Sequence, residues 1–204
     1  MICNNNIIDG LLSLNPFLTL AVNGIYFNTT GTGNSLSGNI VKSIFPYSSG
    51  TCTITGIFNA TSSTNTYNNM VRLGLDTAGV DMNTNHNIIG IHDAGNSNAY
   101  IHNSVYIGGA NIGGTSAANT AAFFNSIFSI GTRIIANNIF ANTRSNSSAL
   151  SKHYCLFLTA NTPQLNITNN YLGSPSINHS MIDSTFADVT GIFLQVTSTN
   201  NNIT

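Results

Sequence analysis

The sequence predicts an all-β fold, a parallel β-helix solenoid of about six coils with about 33 residues in each. The first reason is an asparagine motif that returns along the chain, and the second is an apolar motif that shares its period. The third is the abundance of short runs rich in Ile, Val, Phe, Tyr and Thr, bounded by turn-forming residues as strands are. Equivalent runs recur at the spacing of a whole repeat, so parallel stacking explains them better than hairpins do.

The asparagine motif is an asparagine flanked by apolar residues two positions before and two positions after it, as in Ile135-Ala136-Asn137-Asn138-Ile139. If each repeat is one coil, equivalent asparagines lie about 4.8 Å apart along the axis, where their side chains can hydrogen-bond to each other at an inward bend. The predicted ladder is Asn5, Asn39, Asn68, Asn103, Asn137 and Asn169. The apolar residues that follow, among them Ile7, Met70, Ile139 and Tyr171, are expected to face the core.

The second motif is a small residue followed by apolar or aromatic ones. Its copies are Gly24-Ile25-Tyr26, Gly56-Ile57-Phe58, Gly90-Ile91-His92, Ala122-Phe123-Phe124, Cys155-Leu156-Phe157 and Gly191-Ile192-Phe193. If Ile91 faces the core, His92 faces outward, and its equivalents form an aromatic row on one outer face. Rings on such a face can contact sugars, so the candidate ligand-contacting residues are Tyr26, Phe58, His92 and Phe124. The alternative is that a covering loop buries these rings.

Charged residues make up only 5% of the chain, against about a quarter in a typical domain, so its polarity comes mainly from Asn, Ser and Thr. The 5 scattered Lys and Arg residues form no basic stripe, which argues against nucleic acid as a partner. No window reaches the roughly 20 apolar residues of a membrane-spanning helix. We expect a single domain over residues 1–204 that is a segment of a longer protein. Uncapped terminal coils would favour end-to-end self-association or contact with flanking domains.

Several segments resemble a known family. Residues 135–142, together with Ile101-His102-Asn103-Ser104-Val105-Tyr106 and Lys152-His153-Tyr154, look like the right-handed parallel β-helix repeats of large secreted bacterial surface proteins. Those proteins share the pectin-lyase-like fold. The resemblance implies right-handed coils and a secreted or cell-surface location. Proteins with this fold range from polysaccharide lyases and hydrolases to adhesins and stalks, so the fold alone does not choose a function.

The densest polar segment is the first place to look for catalysis. It contains the candidate catalytic residues Asp76, Asp81, His92 and Asp93. Enzymes of the fold that the chain resembles use clustered aspartates for hydrolysis, or calcium with a basic residue for β-elimination. We expect no cofactor, and calcium at Asp76 and Asp81 is kept as an alternative.

No aspartate recurs at repeat spacing around Asp93, which weakens the case for a catalytic site. The leading hypothesis is therefore a non-catalytic extracellular scaffold or adhesion module that contacts a polysaccharide or surface glycan. A polysaccharide lyase or glycoside hydrolase is the alternative.

Overall fold

The computed structural model describes nine segments of the chain. They are residues 1–14, 21–47, 50–111, 118–127, 131–146, 150–159, 164–173, 188–194 and 200–204. Within these segments the structure consists of strands, turns and bends, and no helix there is long and apolar enough to cross a membrane. Neighbouring strands in every sheet of this part run parallel, and an isolated antiparallel bridge joins Leu75 to Asp81.

Three long sheets contain most of the strands, which are numbered in chain order. Sheet 1 consists of β4 (Ala21–Phe27), β8 (Thr53–Asn59), β11 (Asn87–Asp93), β15 (Thr120–Asn125), β19 (Lys152–Leu158) and β22 (Asp188–Leu194). Sheet 2 consists of β1 (Ile2–Asn4), β5 (Asn34–Ser37), β9 (Thr64–Tyr67), β12 (Ala99–Ile101), β16 (Thr132–Ala136), β20 (Gln164–Thr168) and β23 (Asn200–Ile203). Sheet 3 consists of β2 (Ile7–Asp9), β6 (Ile40–Lys42), β10 (Met70–Leu73), β13 (Ser104–Ile107), β17 (Ile139–Asn142) and β21 (Tyr171–Gly173). Two short pairs join β3 (Leu12–Ser13) to β7 (Phe45–Pro46) and β14 (Ala110–Asn111) to β18 (Ser145–Asn146).

Each coil takes one strand from each sheet, in the order sheet 1, sheet 2, sheet 3. The first complete coil is β4-β5-β6 and the fifth is β19-β20-β21, with a partial coil described at each end. Equivalent residues lie in register about one repeat apart, as Tyr26 with Phe58 and Phe58 with His92 do. The structure therefore confirms the predicted all-β solenoid and its period of about 33 residues, with a coil count close to the predicted six.

Rows of apolar side chains in register fill the inside of the coils. They are Ile57, Ile91, Phe123 and Leu156 from sheet 1, Tyr100, Ile135 and Ile167 from sheet 2, and Val41, Val71, Val105 and Phe140 from sheet 3. All of them are buried, and they belong to one continuous hydrophobic cluster. Because each residue packs on its equivalent in the next coil, every coil closes the core of its neighbours.

An asparagine ladder lies at the short turn between sheets 2 and 3. Its members are Asn6, Asn39, Asn69, Asn103, Asn138 and Asn170. The side-chain NH2 group of each of the first five donates to the Oδ1 atom of the next asparagine at 2.9 to 3.0 Å. The backbone N–H of the same residue donates to that oxygen as well, as Asn69 does to Asn103 at 3.1 Å. The turn of each coil is thereby bonded to the turn of the next.

The predicted ladder contains two of these residues, Asn39 and Asn103, and is wrong by one position at the other four. Asn5, Asn68, Asn137 and Asn169 precede the ladder residue and adopt the left-handed backbone conformation, with φ between 54° and 57°. Asparagine tolerates this conformation better than most residues. In an Asn-Asn pair the first residue therefore makes the turn and the second enters the ladder.

This shift of one residue reverses the side chains of the following strand. Ile7, Met70, Ile139 and Tyr171 were expected in the core, but they face outward and are 70%, 55%, 47% and 51% exposed. Their neighbours Ile8, Val71, Phe140 and Leu172 face the core instead. Successive side chains alternate between the faces of a strand, so an error of one position changes the face of the whole set.

Candidate functional site

The outer face of sheet 1 is shaped by a row of small residues that point toward the core. A Cβ atom added to Gly56 would lie 2.4 Å from Cγ1 of Val71 and 2.6 Å from the carbonyl oxygen of Gly90, so only hydrogen fits there. Because Ile57 is also fully buried, two successive residues face inward and the alternation of the strand is interrupted. The outward residues before and after this interruption form two separate rows.

The row that follows the interruption is aromatic. It contains Tyr26, Phe58, His92, Phe124, Phe157 and Phe193, in register on six successive strands. Ring centroids of neighbours are 4.5 to 5.3 Å apart. The structure thus brings together the four predicted residues Tyr26, Phe58, His92 and Phe124. Tyr26 is 59% exposed, whereas the three that follow are half-buried.

A groove of about 160 Å³ runs along the outward row that precedes the interruption, beside the aromatic row. Ile89 and Ala121 belong to that preceding row and line the groove, and Phe124 and Phe157 form one wall. Tyr154 stacks on Phe157, with ring centroids 4.3 Å apart and an interplanar angle of 16°, and is only 5% exposed. Its large side chain follows Ala121 in the same row, so the groove narrows at this coil.

Polar side chains form the other wall of the groove, which we call the amide lip and define as Thr53, Asn87 and Asn119. Oδ1 of Asn87 accepts a hydrogen bond from the backbone N–H of Asn119 at 2.8 Å. Oδ1 of Asn119 accepts one from the backbone N–H of Lys152 at 2.9 Å. Both amides are therefore held by their oxygen atoms, which leaves their NH2 groups to donate away from the backbone.

His92 is enclosed by the rings on either side of it. Its ring centroid is 4.5 Å from that of Phe58 and 4.8 Å from that of Phe124, and its Nε2 lies 2.7 Å from Oγ of Ser126. Burial lowers the pKa of His92 to about 4, although the nearby carboxylate of Asp93 acts in the opposite direction. The imidazole is therefore neutral at pH 7 and adds no positive charge to the aromatic row.

Asp93 does not reach the surface. Its carboxylate is fully buried, with Oδ2 2.5 Å from Nε of Arg133. Oδ1 accepts hydrogen bonds from the backbone N–H of Gly95 at 3.1 Å and from the side chain of Asn98 at 2.8 Å. These partners hold the carboxylate inside the solenoid, where it cannot act on a polysaccharide bound outside.

Asp93 belongs to a fully buried polar group that we call the corner cluster. Its members are Asn59, Asp93, Asn98, Tyr100, Asn125 and Arg133. Asn59 donates to the hydroxyl of Tyr100 at 3.0 Å, Asn125 donates to the backbone oxygen of Asp93 at 3.1 Å, and Arg133 donates to the backbone oxygen of Gly95 at 2.9 Å. Burial, followed by the charge of Asp93, raises the pKa of Tyr100 well above its usual value. The cluster joins the ends of three sheet 1 strands to the next sheet.

The other two candidate carboxylates lie in the connection between β10 and β11. Oδ1 of Asp76 accepts hydrogen bonds from the backbone N–H groups of Ala78 and Val80, both at 2.8 Å, and Asp81 is exposed. Neither residue lines the groove described above. In the described part of the chain, no three His, Cys, Asp or Glu side chains come together as a metal site would require. The four candidate catalytic residues thus have different environments and do not form one site.

Phe157, Tyr154, the amide lip and Arg133 were not among the site residues predicted from the sequence. Phe157 could have been found, since it occupies the third position of the second motif. Tyr154 and Asn87 occupy other positions of sheet 1 strands, and Asn119 directly precedes β15; at these positions the residue type changes from coil to coil. Arg133 carries no periodic signal, because its equivalent in the next coil is Leu165.

The chain was compared with protein-family models, curated proteins and solved structures, and none of the three comparisons found a match. The parallel β-solenoid therefore rests on the strand pairing alone, and the pectin-lyase-like resemblance stays a prediction.

Proposed function

We propose that this chain is a non-catalytic extracellular scaffold or adhesion module that contacts carbohydrate through the outer face of sheet 1. The observation that carries the proposal is the groove, which has an aromatic wall on one side and oriented amides on the other. Sugars present both C–H faces and hydroxyl groups, and a site that offers apolar surface together with a few placed polar groups suits them. A secreted or surface location, and a place among pectin-lyase-like proteins, are parts of the same proposal that rest on the sequence resemblance.

The scaffold part of the proposal is supported by how the polar residues are used. The four inner ladder residues, Asn39, Asn69, Asn103 and Asn138, and the corner cluster are buried, and their hydrogen bonds join one coil to another. Asp93 and Arg133, which a lyase or hydrolase could have used, form an ion pair inside the molecule. Hydrolysis of a glycosidic bond needs two carboxyl groups on either side of that bond. The described lining of the groove contains no carboxylate.

A glycan array tests the carbohydrate contact. Binding of the wild-type protein to at least one class of glycan is expected, and Phe124→Ala should weaken it at least tenfold because it removes a ring from the wall of the groove. Tyr67→Ala is the matched control, since Tyr67 is an exposed aromatic residue on sheet 2, and it should bind as the wild type does. Equal binding by wild type and Phe124→Ala, with both folded by circular dichroism, would remove the groove as the contact site.

A polysaccharide panel tests the non-catalytic part. Incubation with the purified protein should release neither reducing ends nor unsaturated products above the blank. Turnover by the wild type that disappears in a folded Asp93→Asn variant would instead favour a lyase or hydrolase.

A further inference from the structure

We propose that the groove on sheet 1 binds an uncharged linear glycan along the solenoid axis and discriminates against uronate and sulfated chains. This inference rests on the proposed carbohydrate contact and specifies its substrate class.

The charge of the groove is the first argument. None of the nine described residues that line it carries a charge at neutral pH. His92, beside Phe124 in the aromatic row, is neutral as well. The ion pair of Asp93 with Arg133 lies inside the solenoid, where its two charges compensate each other. A carboxylate or sulfate placed in the groove would lose water without gaining a counter-ion, which is unfavourable.

The positions of the polar groups are the second argument. Thr53, Asn87 and Asn119 lie on successive coils, so the lip offers a polar group about every 4.8 Å and spans roughly 10 Å along the axis. The NH2 groups of Asn87 and Asn119 can donate to hydroxyl or ring oxygens. An extended glycan has a rise per sugar similar to the rise per coil, so successive sugars can meet equivalent donors. This places the glycan parallel to the axis, across the strands.

The apolar wall is the third argument. The rings of Phe124 and Phe157 stack on each other, 5.0 Å apart with an interplanar angle of 26°, so their faces are largely covered and their edges meet the groove. Together with the side chains of Ile89 and Ala121, these edges form a narrow apolar strip. The strip matches the C–H face of a sugar ring, which is the apolar part of an otherwise hydroxylated molecule. Tyr154 narrows the groove at one end, so the bound stretch is short, about two to three sugars at the coil spacing.

Lys152 is a charged residue next to the amide lip, since its backbone N–H donates to Oδ1 of Asn119. It is exposed and is not among the residues that line the groove. Salt screens the charge of an exposed side chain, so we expect Lys152 to contribute little to the choice of ligand.

The test compares neutral oligosaccharides with uronate and sulfated counterparts of the same length on an array, followed by calorimetry with the best neutral probe. The wild type should bind the neutral probe at least tenfold more tightly than its acidic counterpart. The affinity for the neutral probe should change little between 50 and 500 mM NaCl, because salt weakens only binding that depends on charge. Thr53→Lys adds a cation to the lip and should reduce this preference at least threefold. Asn65→Lys adds the same charge at an exposed position of sheet 2 and should leave the preference unchanged.

The outcomes of this test separate the preference for uncharged glycans from the carbohydrate contact itself. Equal or tighter binding of acidic chains would overturn the inference while the carbohydrate contact stands. A preference that responds to Asn65→Lys and not to Thr53→Lys would place the ligand elsewhere and overturn the inference too. If the folded protein binds no oligosaccharide on the array, the inference and the proposed function both fall.

Discussion

The asparagine ladder and the corner cluster bury polar side chains in opposite ways. The ladder places one residue type at the same position of six successive turns, and each member bonds to the next. The corner cluster does not keep one residue type from coil to coil: the row Asn59, Asp93, Asn125 continues as Leu158. The ladder is thus a property of the repeat, whereas the cluster is a property of particular coils.

The fifth coil shows that the corner between sheets 1 and 2 does not require polar residues. Leu158 occupies the position of Asp93, and Leu165 is the register partner of Arg133; both leucines are fully buried. One molecule therefore contains a polar and an apolar solution of the same corner. This arrangement agrees with the general finding that a buried ion pair can be replaced by well-packed apolar residues, although removing one partner alone is costly.

The largest effect is expected for Arg133→Leu, which leaves Asp93 buried without its counter-ion. We expect the free energy of unfolding, measured by chemical denaturation, to fall by about 3–5 kcal/mol. The leucine itself should fit, because the next coil has Leu165 at this position.

The double variant Asp93→Asn with Arg133→Leu is the control for that measurement. It places asparagine, as in the neighbouring coils at Asn59 and Asn125, opposite a leucine as in the fifth coil. At least half of the lost stability should return. A double variant that is as unstable as Arg133→Leu would show that packing, and not the unpaired charge, causes the loss.

A smaller effect is expected for Asn138→Ala in the ladder. The change removes the acceptor of two hydrogen bonds from Asn103 and the donor to the backbone oxygen of Tyr100. Leaving these buried groups without partners should cost about 2–3 kcal/mol in the free energy of unfolding.

Asn137→Gly is the matched control one residue away. Asn137 is exposed and has φ 56°, a conformation that glycine adopts readily, so the change should alter stability by less than about 0.5 kcal/mol. The reverse order of effects would mean that Asn137, as the sequence analysis predicted, is the ladder residue.

The sequence predicted the repeat, the parallel stacking and the aromatic row because each depends on residue types that return at one period. It misplaced the ladder at four positions because an Asn-Asn pair offers two candidates. At Gly38-Asn39 and His102-Asn103 there is one asparagine, and there the prediction names the ladder residue. The ambiguity is one of backbone conformation, which residue type alone does not settle.

The site was less predictable than the fold for a related reason. Asp93 lies beside His92 in the sequence, and only the strand geometry shows that its side chain faces inward while His92 faces outward. Arg133, its partner, is 40 residues away and in another sheet. Contacts between coils that do not repeat leave no periodic signal in the sequence. The corner cluster and the amide lip could therefore not be predicted from the sequence and are seen only in the structure.

The smallest predicted effect is a dependence of stability on pH that arises beside the corner cluster and not in the ladder. The ladder contains no group that titrates, whereas His92 beside the corner cluster has a pKa of about 4 in the folded protein and an ordinary value of 6.5. Between these values the unfolded chain binds more protons at this residue than the folded protein does. The stability that the neutral ring contributes is therefore complete above pH 6.5 and is lost as the pH falls toward 4.

His92→Phe should reduce this loss, because phenylalanine does not titrate and occupies the same position in the neighbouring coils as Phe58 and Phe124. Thermal unfolding at a series of pH values from 7 to 4 should show a shallower decline in Tm for this variant than for the wild type. Other groups, among them His86, whose pKa is lowered by burial, maintain part of the slope in both proteins. Asn138→Ala should lower Tm at every pH without changing the slope. Parallel declines for wild type and His92→Phe would mean that solvent reaches the imidazole and that the rings of Phe58 and Phe124 do not enclose it.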